Sequence, residues 1–287
     1  MSRFFTVAAS AGAVLFCAVT LYGQTLTRAE ELYRHTQYEA SLALLDKNAA
    51  DPQTTFLIGR DYFMWGDFRK ATEYFQKTVT ADPGNSDYVD WLGRAYGRRA
   101  ETSNPILAPV LAPKARQAFE RAVALDPKNA EALSDLFEYY LEAPGFLGGG
   151  YDKALAVADK ISVVDPPEGF FAKAQLAQKR REFSDAEQHL RQAVALAPRQ
   201  VGRLIDLAKF LAKQGRTRES DAVFMQAQRL DPNAPKVWFA RADALIKQKR
   251  NVQEARNLLQ KYMRASITVD DPPKDDALQL LKQVGGA

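Results

Sequence analysis

The chain of 287 residues has one cysteine, Cys17, and two histidines, His35 and His189. A single cysteine excludes an internal disulfide and a thiolate metal site. The two histidines lie far apart in sequence, so they form no pair for metal binding or proton relay. Neither an H-E-x-x-H stretch, a G-x-S-x-G elbow nor a dinucleotide glycine fingerprint occurs. Carboxylates are plentiful but scattered through amphipathic helices. Catalysis and a cofactor are therefore not expected. A basic stripe is also missing: 39 Lys and Arg against 35 Asp and Glu leave a net charge of only +4. The runs Arg98-Arg99 and Lys179-Arg180-Arg181 are short enough to be solvated helix ends. Nucleic acid is accordingly not an expected partner.

The one long apolar run lies at the N-terminus. Residues 4–27 carry no charge, and Phe4 to Tyr22 is mostly apolar behind Ser2 and Arg3. This has the form of a secretory signal peptide. Ala18-Val19-Thr20 and Leu21-Tyr22-Gly23 offer small residues for cleavage, the second leaving Gln24 as the new terminus. An uncleaved anchor is the alternative, because the 19 residues from Phe4 to Tyr22 could just span a bilayer. A buried helix is the third reading. Phe16 before Cys17 argues against a lipoprotein signal. The expectation is a signal peptide over residues 1–23 and an exported chain, periplasmic or secreted, or held at the inner membrane if the segment is retained. A mature chain without cysteine fits an oxidising compartment.

Prolines punctuate the rest. Apolar helical stretches run into Pro52, Pro83, Pro127, Pro166, Pro198, Pro232 and Pro272, at spacings of 31, 44, 39, 32, 34 and 40 residues. Aspartate precedes six of the seven, Ala197 being the exception. A helical pattern recurring at this period belongs to a solenoid. Proline cannot donate a backbone N–H and clashes with the preceding turn, so each is expected to stop a helix. Asn85, Asn129 and Asn233 follow their prolines by two residues or fewer and are placed to cap the next helix.

Aligned on the prolines, one unit shows Ile58-Gly59, Tyr62, Gly66, Phe68, Ala71, Phe75 and Pro83. The next shows Leu92-Gly93, Tyr96, Ala115, Phe119 and Pro127. These residues match the pattern L-G-x2-Y, A-x3-F and a closing proline. The chain resembles the tetratricopeptide-repeat (TPR) family over about residues 25–272. The resemblance implies an all-α, right-handed superhelical solenoid of about seven helix-turn-helix units and a C-terminal capping helix. The units are read as 25–52, 53–85, 86–129, 130–166, 167–200, 201–234 and 235–272, with the cap and tail over 273–287. Small residues explain the close approach of helix A to helix B: Gly59, Gly93, Ala174, Ala208 and Ala242 on one side, Ala71, Ala115, Ala154, Ala186 and Ser220 on the other. Exported TPR proteins of this kind resemble bacterial ones.

Two units exceed the period. Residues 101–113 insert three prolines, which are expected to prevent a regular helix, and Ile106, Leu107, Val110 and Leu111, which are expected to fold back on the array. Residues 143–150 add a glycine-rich turn. It lacks the Gly-Lys-Ser/Thr ending of a phosphate loop and follows a helix where such a loop follows a strand. Phe146 and Leu147 are expected to tuck against the next unit. Similar Pro-Gly-x-x-Gly-Gly turns occur in other bacterial TPR proteins. A pocket of converging polar groups there would be needed for a small-ligand or enzyme function.

In the TPR family helix A of each unit lines the concave face. Carried over to this chain, that face holds Phe56, Arg60 and Phe63, then Asp90, Arg94 and Arg98, then Glu131, Ser134, Glu138 and Glu142. The later units supply Phe171, Gln175, Gln178, Lys209, Lys213, Phe239, Asp243 and Lys247. Phe56, Arg60, Phe63, Arg94, Arg98 and Glu138 are the residues singled out for a partner: a basic patch beside two phenylalanines, with an acidic unit next to it, suits an acidic or aromatic peptide. The arginines could instead pair with Asp61, Asp90 and Glu138 inside the array. The clamp by which TPR chaperone adaptors hold a terminal carboxylate uses lysine and asparagine where this chain has Phe56, Arg60, Trp91 and Arg94, so that ligand is not implied. The function expected is a non-catalytic protein-interaction scaffold of the cell envelope, or a membrane-anchored assembly or secretion factor.

Overall fold

The computed structural model describes residues 23–104 and 106–285. Residues 1–22, which hold most of the signal or anchor segment, lie outside the described residues. Among those described, fifteen α-helices follow one another without a strand. Residues 23–34 form α1. It is followed by α2 (Tyr38–Leu44), α3 (Pro52–Met64), α4 (Phe68–Ala81), α5 (Ser86–Thr102), α6 (Ala108–Leu125), α7 (Ala130–Glu142) and α8 (Tyr151–Val164). Then come α9 (Pro166–Lys179), α10 (Phe183–Leu196), α11 (Val201–Lys213), α12 (Thr217–Leu230), α13 (Pro235–Lys247), α14 (Val252–Arg264) and α15 (Lys274–Gly285). Odd-numbered helices are the A helices and even-numbered the B helices of seven hairpins. The last, α15, packs on α13 and α14 where an eighth A helix would stand. It buries Ala277 and Val284, closing the exposed end of the core.

The hairpins close through small residues. At Gly59 an added Cβ would lie 2.6 Å from the Phe75 ring, and at Gly93 it would lie 2.6 Å from the Phe119 ring. Phe75 is wholly buried, which contributes about 2–3 kcal/mol. In the later hairpins Ala174, Ala208 and Ala242 take the glycine's place, each fully buried. The A-to-B turns need one left-handed residue, supplied by Gly66 (φ 83) and Gly215 (φ 75) but also by Arg181 (φ 63) and Lys249 (φ 54).

The prolines do two jobs. Pro83, Pro127 and Pro232 follow the C-caps Asp82, Asp126 and Asp231 and end a helix. Pro52 and Pro166 instead begin α3 and α9, where the missing N–H has no helical partner anyway. The preceding Asp51 and Asp165 cap those helices by accepting from Thr54 N and Glu168 N. Asn85 and Asn129 cap α5 and α7 as expected. Asn233 does not cap: Pro235 takes the first turn of α13, so Ala234 is the N-cap and Asn233 falls one residue outside.

The insertions differ from expectation. Helix α6 runs through both Pro109 and Pro113. Pro109 sits in the first turn, and Pro113 costs one backbone bond early in a helix of 18 residues, so the long buried remainder outweighs it. Of the apolar residues there only Leu111 is buried; Ile106 is 81% exposed, and Leu107 and Val110 are also exposed. Gly145–Leu147 forms a 3₁₀ turn on α6, with the Leu147 carbonyl accepting from the Tyr139 hydroxyl. Phe146 in this turn is 82% exposed, where a tucked ring was expected. Residues 143–150 thus form a packed turn around Ala143 and Arg116, with Gly148 at φ 92.

The last turn reaches across the array. The Val269 amide donates to the Arg34 carbonyl at 3.2 Å, and the Val269 side chain joins the apolar cluster of α1 to α5. The turn between α14 and α15 therefore touches the first hairpin. Among the described residues no helix is long and apolar enough to cross a membrane.

Candidate protein-binding groove

The concave face has two unlike halves. In the first, α3 and α5 bring Phe56, Arg60, Phe63 and Trp91 together. Trp91 stands edge-on to Phe56 and to Phe63, with centroids 6.0 and 5.4 Å apart. Phe56 also lies 4.7 Å from Tyr88. Both phenylalanines are half-buried parts of the packing between repeats. The Arg60 guanidinium sits 4.1 Å over Tyr33 and 5.4 Å from both Phe56 and Trp91. It makes no ion pair among the described residues, and its Nε has no hydrogen-bond partner. Aromatic faces take the place of a counter-ion there.

The other two arginines are engaged. Arg94 binds Asp90 at 3.0 Å, Glu131 at 2.9 Å and Asp135. Asp90 is 1% exposed, and burial together with its neighbour Asp135 pushes its carboxyl far above the usual range. The same acids hold the Arg94 guanidinium charged. Arg98 pairs with Glu101 and lies 5.1 Å over Phe68. Glu138 is exposed on α7 and forms no ion pair among the described residues. The structure thus gathers Phe56, Arg60 and Phe63 in one aromatic site, commits Arg94 to an internal cluster, and leaves Arg98 and Glu138 at the edge. Asp135 was missed, although it lies four residues after Glu131 on the same helix, at the spacing that puts two side chains on one face. Below this half, Ser41 Oγ donates to Asp61 at 2.7 Å; burial raises the Asp61 carboxyl to about 7, against that bond and nearby Arg60.

The second half contains a concave cavity of about 650 Å³, formed by α9, α11 and α13. Helices α11 and α13 pack together, whereas α9 and α11 are held apart by α10, and Leu190 of α10 forms the floor between them. Phe171, Gln175 and Gln178 line one wall, Lys209 and Lys213 the centre, Asp243 and Lys247 the other wall. All seven were among the groove positions read from the sequence. Asp206 and Gln248, which also line it, were not. Burial pushes Asp206 up to about 6, opposed by Arg203 and Lys209.

Among the described residues no group of three or more histidine, cysteine or acidic side chains is arranged to hold a metal ion. Residues 143–150 line none of the cavities described.

The fold defines a class: an α-helical repeat solenoid whose A helices present a groove. Residues 205–268 match the family model for the tetratricopeptide repeat. The chain is similar to a thermophilic TPR protein of Thermus thermophilus, with a TM-score of 0.56 and 22% identity over 66% of this chain and 98% of that one. It is also similar to a TPR protein of Parabacteroides merdae, with a TM-score of 0.59 and 14% identity over 92% of this chain and 99% of that one. A chain of the APC/C hetero-tetramer Cut9–Hcn1 gives a TM-score of 0.52 and 17% identity over 89% of this chain and 48% of that one. No curated protein matches the chain in sequence. Residues 205–268 thus carry the tetratricopeptide repeat, and the described residues share the fold of TPR solenoids, a fold that commonly serves as a protein-interaction scaffold.

Proposed function

We propose that this protein is a scaffold of the cell envelope that holds an extended segment of a partner protein along its concave face. The observation that carries the reading is the trough of about 650 Å³ across three successive A helices, with apolar floor and polar walls. Ligand sites combine such an apolar surface with a few placed polar groups. The uncharged stretch over residues 4–27 supports export. In the Cut9–Hcn1 assembly a solenoid of like fold belongs to a hetero-tetramer, which is in keeping with a binding role. A photo-crosslinker at Gln175 should capture a partner in envelope fractions, and one at exposed Val163 on α8 should not. Equal capture from both positions would remove the groove assignment. Intact mass of the exported protein tests the leader: a mass beginning near Gln24 means cleavage, and retention of residues 4–22 means a membrane-anchored scaffold.

A further inference from the structure

Helices α9, α11 and α13 end on Lys179, Lys213 and Lys247, each 34 residues after the last. A cation is favoured at that position by the helix dipole, so the row alone says little. What distinguishes the three is their partners. Lys179 binds Glu142 at 2.7 Å, and Lys247 binds Asp243, one turn back on its own helix, at 2.7 Å. In α11 the position matching Asp243 is Lys209. Lys209 and Lys213 are both exposed, face the same trough, and make no ion pair among the described residues. Two like charges one turn apart disfavour the helix that carries them. The trough's own acids relieve them only in part: Asp243 is held by Lys247, and half-buried Asp206, which feels Lys209, lies 3.6 Å from Arg203.

Resting on the groove reading above, we infer that Lys209 and Lys213 are the docking point for an acidic, extended peptide segment of the partner. Carboxylate is what the matching lysines in both neighbouring units bind. The Gln175 amide, half-buried on α9 across the trough, can hydrogen-bond a peptide backbone. Helix axes stand about 8–10 Å apart, so crossing three A helices takes about six residues of extended chain. A segment with acidic side chains on one face and apolar ones on the other would place carboxylates on the lysines and apolar groups over the floor.

The test uses the full chain and a fluorescent, end-blocked hexapeptide alternating glutamate and valine. Saturable binding is expected, weakened by high salt and weakened about tenfold or more in Lys209→Asp, which removes one docking cation and occupies the other. The same substitution recreates the Asp–Lys pair of α13 but sets a second aspartate three residues after Asp206, so the two small terms offset and the thermal midpoint should stay within about 2 °C. A lysine kept for folding would cost far more, so loss of binding together with a midpoint lowered by more than about 5 °C overturns the inference. Peptide binding indifferent to Lys209→Asp overturns it too, as does the absence of binding. An oligothymidylate of equal charge that binds as tightly, with the same lysine dependence, would replace the peptide by a nucleic acid. Crosslinking from Gln175 with any of these results would leave the scaffold reading standing without this docking point.

Discussion

The two halves of the groove use charge in opposite ways. Around α3 to α7 the charges are turned inward: Arg94 is shared by three carboxylates, and Arg60 rests on aromatic rings. Around α9 to α13, where α10 separates α9 from α11 while α11 and α13 pack together, two exposed lysines reach the trough and make no ion pair among the described residues. An internal charge cluster fixes how repeats stack. Unmatched charges leave specificity for something outside the chain.

The comparison breaks most severely at Arg94. Arg94→Ala strands Asp90 and Asp135 and should cost about 3–5 kcal/mol in urea unfolding. If the halves are separate in function, the Lys209 and Lys213 trough should keep its affinity in conditions where this variant is folded. Asp61→Asn should have the opposite sign. Its carboxyl titrates near 7 in the fold against an ordinary value of 3.8, so the folded form binds the extra proton between those values. Stability from this group is present below about pH 4 and is lost as pH rises toward 7. The amide should therefore stabilise by about 2 kcal/mol at pH 8 and flatten the pH profile, as read by thermal midpoints across pH. Gly93→Ala should cost about 1–3 kcal/mol by pushing on the Phe119 ring, measured by denaturant midpoint. Arg98→Gln, which removes an exposed pair, should change stability by less than about 0.5 kcal/mol. A large loss there would mean that the edge of the first half is built more tightly than its exposure indicates.

Much of the scaffold was legible because its rules are local. Gly59 and Phe75, or Ala208 and Ser220, meet at a fixed spacing that any hairpin of this kind repeats. Ser220 even donates to the Ala208 carbonyl at 2.8 Å. Helix ends were less legible, since a proline reads as a stop whether it ends one helix or opens the next, as Pro166 does. The partnerships within the concave face were not legible. Arg94 binds Asp90 on its own helix but also Glu131 and Asp135, and which acids hold it depends on how α5 stacks on α7. The insertions differ for a related reason: apolarity in residues 106–110 reads as burial, yet Ile106, Leu107 and Val110 stay exposed.

The contact between Val269 and Arg34 changes how the molecule must fold. An open repeat array has only short-range contacts in sequence, so it can grow from any hairpin, and its ends fray independently. Here the two ends meet. Closing a chain that long costs entropy, but only about 0.6 kcal/mol more for each doubling of the loop, so a few contacts suffice. The seam is a contact of very high sequence separation, and the slowest step of assembly is expected to be its formation. Amide exchange at Val269 should then follow that of α1, as though the first and last repeats were neighbours. A circular permutant that opens the chain elsewhere would convert the seam into an ordinary local contact and should fold faster.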